Sequence, residues 1–181
     1  MKKEWLQMGI FFISVTLFVL LLRHFIFTPV VVRGDSMNPT IHNGEHVIAL
    51  KHLPVERFDI VTFPAPDQAG ENYIKRVIGL PGETVAYEND HLLINGQEVA
   101  EPYLNELKKQ VPTEELLTYD FTMANFGVTK IPEGEVLVLG DNRQISKDSR
   151  SIGFIKEAQI SGNVKFSFWP IHEVGLIDSF S

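Results

Sequence analysis

The chain has 181 residues, 44% of them hydrophobic, and a formal net charge of −7 from 16 Lys+Arg against 23 Asp+Glu. That is apolar material enough for one ordinary domain with a core, which excludes a disordered chain. The acidic balance and lack of any basic run exclude a typical nucleic-acid binder and leave no run suited to anionic lipid, while the absence of cysteine removes thiol catalysis, disulfides and a lipidated cysteine.

From Trp5 to Leu22 the chain carries no charge. As a helix this stretch spans roughly 27 Å, close to the hydrocarbon core of a bilayer. A cleavable secretory signal would need a shorter apolar region and a small-x-small cleavage site, and Arg23-His24-Phe25-Ile26-Phe27-Thr28 offers none. An uncleaved anchor over residues 5–27 is therefore expected. Lys2 and Lys3 stand against Glu4, Arg23 and Arg33, so the positive-inside bias toward a cytoplasmic amino terminus is slight.

Phe27-Thr28-Pro29-Val30-Val31-Val32-Arg33 is rich in β-branched residues and reads as a strand leading into Ser36. Period-two alternation puts Val30, Val32, Gly34 and Ser36 on one face. Met37-Asn38-Pro39-Thr40 turns the chain. His42-Asn43-Gly44-Glu45-His46 matches the H-x-x-E-H pattern of a zinc protease, but that chemistry needs a helix. Asn43-Gly44 is a turn pair and Val47 to Leu50 continues as a strand, so two turn-flanking histidines are expected instead of a metal site.

Further strands are expected at Phe58–Phe63, stopped by Pro64, and at Tyr73–Ile78, ending in the Gly79-Leu80-Pro81-Gly82 corner. Thr84–Tyr87, His91–Ile94 and Gln97–Val99 form short strands, the last two joined by the hairpin pair Asn95-Gly96. Glu106–Lys109 and Thr113–Leu117 suggest helical turns interrupted by Pro112. Val128–Ile131, Glu135–Leu139 and Asn163–Trp169 read as strands, and a dense polar loop, Gly140 to Arg150, follows the second of them. The chain beyond the anchor reads as mainly β.

A serine hydroxyl is a poor nucleophile until a base takes its proton, and Lys75 is the best base on offer for Ser36. An exposed lysine, with a pKa near 10.4, is free base in only about one molecule in 2,000 at neutral pH. Burial can lower that pKa by about 3 to 5 units, and Tyr73 and Val77 share the Lys75 face while Ile74 and Ile78 support the other. A carboxylate left facing Lys75 would undo the effect.

Three motifs resemble the bacterial type I signal peptidases, a family of membrane-bound serine/lysine proteases. Gly34-Asp35-Ser36-Met37-Asn38-Pro39-Thr40 is similar to the nucleophile motif, and Lys75-Arg76-Val77-Ile78-Gly79-Leu80-Pro81-Gly82-Glu83 to the general-base motif. Gly140-Asp141-Asn142-Arg143, with Ser146, Asp148, Ser149 and Arg150, is similar to the third. The resemblance implies Ser36 as nucleophile, Lys75 as base, Ser146 as a hydroxyl orienting the lysine, an Asp148–Arg150 pair beside the site, and Asp141 holding the loop. Some members carry a serine two residues before the nucleophile that helps bind the oxyanion, where this chain has Gly34.

The expected fold is mainly β: a single amino-terminal transmembrane helix, then an antiparallel β-sheet catalytic domain over 28–181 with a small hairpin-containing subdomain inserted at 84–137. Residues 1–4 would be cytoplasmic and the catalytic domain extracytoplasmic. The resemblance implies signal peptides of exported preproteins as substrates, cut after small residues one and three places before the bond, with the bilayer and the secretion translocon as partners. No cofactor or metal is implied. Val30, Val32, Met37, Tyr73 and Ile74 are the expected substrate-binding residues, along a strand edge that would pair with an extended peptide. Two competing readings are weaker: a self-cleaving repressor-type protease lacks its partner domain, and a non-catalytic membrane-anchored assembly or chaperone protein has no need of both Ser36 and Lys75.

Overall fold

The computed structural model describes residues 2–112 and 115–177. Helix α1, Lys2–Phe25, projects its apolar side chains outward: Phe11, Phe12 and Ile13 are each more than 60% exposed. Its stretch Lys3–Phe25 is long and apolar enough to cross a membrane. A helix that is apolar all round and buries nothing in its own chain needs an apolar surrounding to cover it.

Eleven strands follow among the described residues: β1 Phe27–Val31, β2 His46–Leu50, β3 Ile60–Pro64, β4 Asn72–Gly79, β5 Val85–Glu88, β6 His91–Ile94, β7 Gln97–Val99, β8 Glu135–Leu139, β9 Ile155–Lys156, β10 Gly162–Trp169 and β11 Gly175–Leu176. The main sheet is antiparallel throughout, in the order β1-β2-β10-β3-β4-β8-β9, with β11 beside β10. Strands β5-β6-β7 form a separate small sheet, threaded between β4 and β8 in sequence. Its hairpins turn on left-handed pairs, Asn89-Asp90 and Asn95-Gly96, whose positive φ values match the twist of two-residue connections. Short helices α2, Asn105–Gln110, and α3, Ser149–Ile152, complete the fold.

Three apolar clusters share the work of the core. One joins the small sheet to β4 and β8 through Ile78, Val85, Tyr87, Leu92, Leu137 and Leu139. A second gathers Val32, Met37, Ile41, Val47, Ile60, Ile74 and Val164, and a third Val61, Phe63, Val77, Val136, Val138 and Ile155. Alternation along β4 explains the division, since Ile74 and Val77 serve different clusters on opposite faces.

The structure departs from expectation in three places. The first strand ends at Val31, and the chain leaves the sheet at Gly34, whose φ of +85° breaks the alternation before Ser36. Val128–Ile131 is no strand: Ile131 exchanges two backbone hydrogen bonds with the Gly82-Glu83 corner and Thr129 and Lys130 are exposed. Of the expected turn at Thr113–Leu117, Thr113 and Glu114 lie outside the described residues, and Glu115–Leu117 is not helical. The His42–His46 stretch is a turn running straight into β2.

Candidate active site

Ser36 lies on the turn between β1 and β2. Met37 and Ile41, 1% and 0% exposed, pin that turn into the core, and the Ile41 N–H donates to Met37 O at 3.0 Å. The loop after β8 holds it from the other side. Asn142 N donates to Ser36 O at 3.0 Å, and Asn142 Nδ2 to Asp35 O at 3.2 Å.

Lys75 sits on β4, only 3% exposed, with its Nζ 2.7 Å from Ser36 Oγ and 2.9 Å from Ile74 O. The ammonium also stands 5.1 Å from the centre of the Tyr73 ring. Burial lowers its pKa from 10.5 to about 8, against the opposing pull of the Asp148 and Asp141 carboxylates. Desolvation outweighs attraction because both acids are occupied elsewhere.

Asp148 receives Arg150 in a bidentate pair, Nε to Oδ1 at 2.8 Å and Nη2 to Oδ2 at 2.7 Å, and accepts from Gly140 N at 3.0 Å. It also caps α3. Asp141, fully buried, takes Arg76 Nε at 2.8 Å and Nη2 at 2.7 Å, with the Thr40 hydroxyl donating at 2.6 Å. Ser146 differs from expectation: its hydroxyl is buried and makes no hydrogen bond to Lys75 or to any other group among the described residues. It packs against Gly140 instead, where an added Cβ would come within 2.2 Å of Ser146 Oγ and 2.4 Å of Ser36 O. Only glycine lets the loop approach Ser36 this closely.

The cleft beside Ser36 has a volume of about 270 Å³ and is walled by Val31 to Met37, Asn72 to Lys75, Gln68, Ile145 and Lys147. Val32, Met37, Tyr73 and Ile74 are therefore at the cleft. Val30 is not: with the chain turning at Gly34, the exposed Val31 faces the cleft and Val30 is half-buried against the second core cluster. Two strand edges border the opening. Among the described strands β1 pairs only with β2, and β4 pairs with β8 only from Arg76 onward, leaving Asn72–Lys75 open on that side. The loop between β3 and β4 is tied across the opening by Arg33–Glu71 at 2.8 Å and by Lys147 with Asp67, which also accepts from Tyr73 OH at 2.9 Å.

Several contributors carried no individual signal in the sequence. Arg143, 2% exposed, donates to Glu101 at 2.6 Å, to Tyr87 OH at 2.6 Å and, through Nε, to Gly140 O at 3.0 Å, so the small sheet's side of the molecule grips the loop after β8. Its partners lie 42 and 56 residues away, beyond any spacing rule. Arg76 could have been inferred, because a buried Asp141 needs a cation and Arg76 adjoins Lys75.

The chain matches the family model described as "Signal peptidase, peptidase S26" over residues 3–169. It is 40% identical over 200 residues to the signal peptidase I of Streptococcus pneumoniae, covering 96% of this chain and 95% of that protein. With the signal peptidase I of Bacillus caldolyticus it shares 46% identity over 157 residues, covering 84% and 85%. A crystal structure of a signal peptidase I from Enterococcus faecalis superposes with a TM-score of 0.59 at 46% identity, covering 61% of this chain and 97% of that one.

Proposed function

The chain belongs to the peptidase S26 family of signal peptidases, and from that premise we propose that it removes signal peptides from exported preproteins with Ser36 as nucleophile and Lys75 as general base. The observation that carries this reading is the 2.7 Å contact between Lys75 Nζ and Ser36 Oγ in a buried setting that lowers the lysine pKa to about 8. At pH 7 about a tenth of such lysines are free base, against about one in 2,000 for an exposed one.

The neutral amine accepts the Ser36 proton as Oγ attacks the scissile carbonyl carbon. The Ser36 N–H lies where the oxyanion forms, and a second donor comes from backbone or water, since Gly34 has no side chain. Lys75, now protonated, gives its proton to the leaving amine and the acyl-enzyme remains. Water then attacks the ester, with Lys75 again taking the proton, and Ser36 is restored. Asp141 and Asp148, each held by an arginine, fix the loop that clamps Ser36 while leaving the lysine largely to its desolvated surroundings.

The substrate lies extended between the open edges of β1 and β4, bound through main-chain hydrogen bonds that demand little sequence. Val32, Met37, Tyr73 and Ile74 form shallow apolar walls that admit only small residues one and three places before the bond. Helix α1 anchors the chain in a single pass, with its amino terminus cytoplasmic, residues 28–181 extracytoplasmic and 84–137 as an inserted subdomain, near the secretion translocon that delivers substrate.

Cleavage of a purified preprotein by the detergent-solubilised chain tests the reading, with Ser36→Ala and Lys75→Ala alongside. Below pH 8 the logarithm of kcat/KM should rise by one for each pH unit, because only the free base acts, and should level off above it. Both variants should be inactive. Variants as active as the unmodified chain, or a profile flat from pH 6 to 9, would remove Lys75 from the role of base, and cutting after leucine as fast as after alanine would remove the small-residue specificity.

A further inference from the structure

The chain contains no basic run, yet the fold assembles one at the exit of α1. Arg23 and His24 stand on the last turn of the helix, and Lys51 and His52 come to them from the end of β2. Lys51 Nζ donates to His24 O at 2.9 Å and Arg23 O at 3.2 Å, while its backbone N–H donates to Ile26 O at 2.8 Å. The ammonium more than offsets the negative end of the helix, about half an elementary charge, and retains a third N–H.

A hollow of about 630 Å³ opens at this junction, lined by His24, Phe25, Lys51, His52, Thr62 and Ser161 among others. No carboxylate is among its lining residues, in a chain with a net charge of −7. Thr62, on β3 and 1% exposed, contributes a buried hydroxyl with no hydrogen-bond partner among the described residues. A buried hydroxyl without a partner is costly, and a ligand oxygen would satisfy it. Phe25 and Ile26, 58% and 51% exposed, lie beside the cations.

We propose that this hollow binds the phosphodiester of an anionic phospholipid. The proposal rests on the reading of α1 as a membrane anchor, since a span ending at Phe25 places these groups at the depth of the headgroups. Lys51 supplies the charge, the His24 and His52 rings and the Thr62 hydroxyl supply donors to phosphate oxygens, and Phe25 and Ile26 meet the start of the acyl chains. The electrostatic share is that of one firm ammonium near a charged surface, which corresponds to about a fivefold preference for anionic over zwitterionic lipid.

Two measurements on the full chain keep the layers apart. Flotation with phosphatidylcholine vesicles tests the anchor; a chain that stays in solution overturns both the anchor and this site. Native mass spectrometry of the detergent-solubilised chain with equimolar phosphatidylglycerol and phosphatidylcholine then tests the headgroup. Phosphatidylglycerol should be retained about fivefold over phosphatidylcholine, and Lys51→Gln and His52→Asn should each reduce that excess, whereas Lys156→Gln on β9 should not. His52 has a φ of +59°, which asparagine tolerates, so that variant removes the ring without straining the backbone. Flotation without headgroup preference, or a preference indifferent to both variants, overturns the site while leaving the anchor standing. Displacement of the lipid by inorganic phosphate at equal concentration would identify a free-phosphate site and overturn the lipid assignment.

Discussion

Replacing Lys75 by methionine should abolish cleavage and, at neutral pH, make the protein more stable. Burial lowers the Lys75 pKa from 10.5 to about 8, so the folded state holds its ammonium at a disadvantage that the unfolded chain does not feel. At about 1.4 kcal/mol for each tenfold change, that disadvantage is about 3 kcal/mol. Between about pH 8 and 10.5 the unfolded chain carries a proton the folded chain has shed, so stability rises with pH across that window and the full cost is present below it. Methionine fills nearly the same space without charge, and forfeits the hydrogen bonds to Ser36 Oγ and Ile74 O, a loss of about 1 kcal/mol each and about 2 kcal/mol together. The net gain at pH 7 is roughly 1 kcal/mol, or a rise in Tm of about 2–4 °C for a chain of this size. Thermal unfolding in detergent, followed by circular dichroism at pH 7 and again above pH 10, reads it directly. A variant less stable at pH 7, or a gain that does not shrink with rising pH, would show that Lys75 is not held at a desolvation cost.

Gly140→Ala should fold but lose cleavage by about 100-fold or more, because its Cβ would press on Ser36 O and Ser146 Oγ and displace the nucleophile; near-normal kcat/KM would refute the close approach. Glu101→Gln leaves the buried Arg143 without its carboxylate and should cost about 3–5 kcal/mol of stability by thermal or denaturant unfolding; a cost under about 1 kcal/mol would mean the tyrosines alone satisfy the guanidinium. Gly34→Ser meets open space but a φ of +85°, so it should destabilise by about 1–2 kcal/mol without raising kcat. A rise in kcat would show that the position can host a second oxyanion donor after all.

The strands were legible where two signals coincided. Asn95-Gly96 between apolar runs marked the hairpin that joins β6 to β7. Elsewhere one signal stood alone and another interaction overrode it. Alternation from Val30 to Ser36 reads as a continuous strand, but the left-handed Gly34 rotates everything beyond it and exchanges Val31 for Val30 at the cleft. Val128–Ile131 has strand composition, yet its ends bond to two different places, Val128 N–H to Met123 O and Ile131 to the Gly82-Glu83 corner, so no strand ladder forms. The cations at the end of α1 were invisible for the same reason as the Arg143–Glu101 pair: each set meets only after distant segments have packed.

The adjacency of Lys75 and Arg76 shows why the Ser36–Lys75 geometry needs a strand. A period of two sends neighbouring side chains to opposite faces, so one element presents an amine to Ser36 and, in the next residue, a guanidinium to Asp141. Asp141 lies between Gly140, which the Ser36 turn touches, and Asn142, whose N–H holds Ser36 O. Lys75 and the clamp on Ser36 are therefore both referred to β4, one through each face. A helix would have placed two consecutive residues about 100° apart and could not have braced the loop directly behind Lys75. On that argument the Ser36–Lys75 distance depends on Arg76 as much as on the local turn, although Arg76 lies outside the cleft.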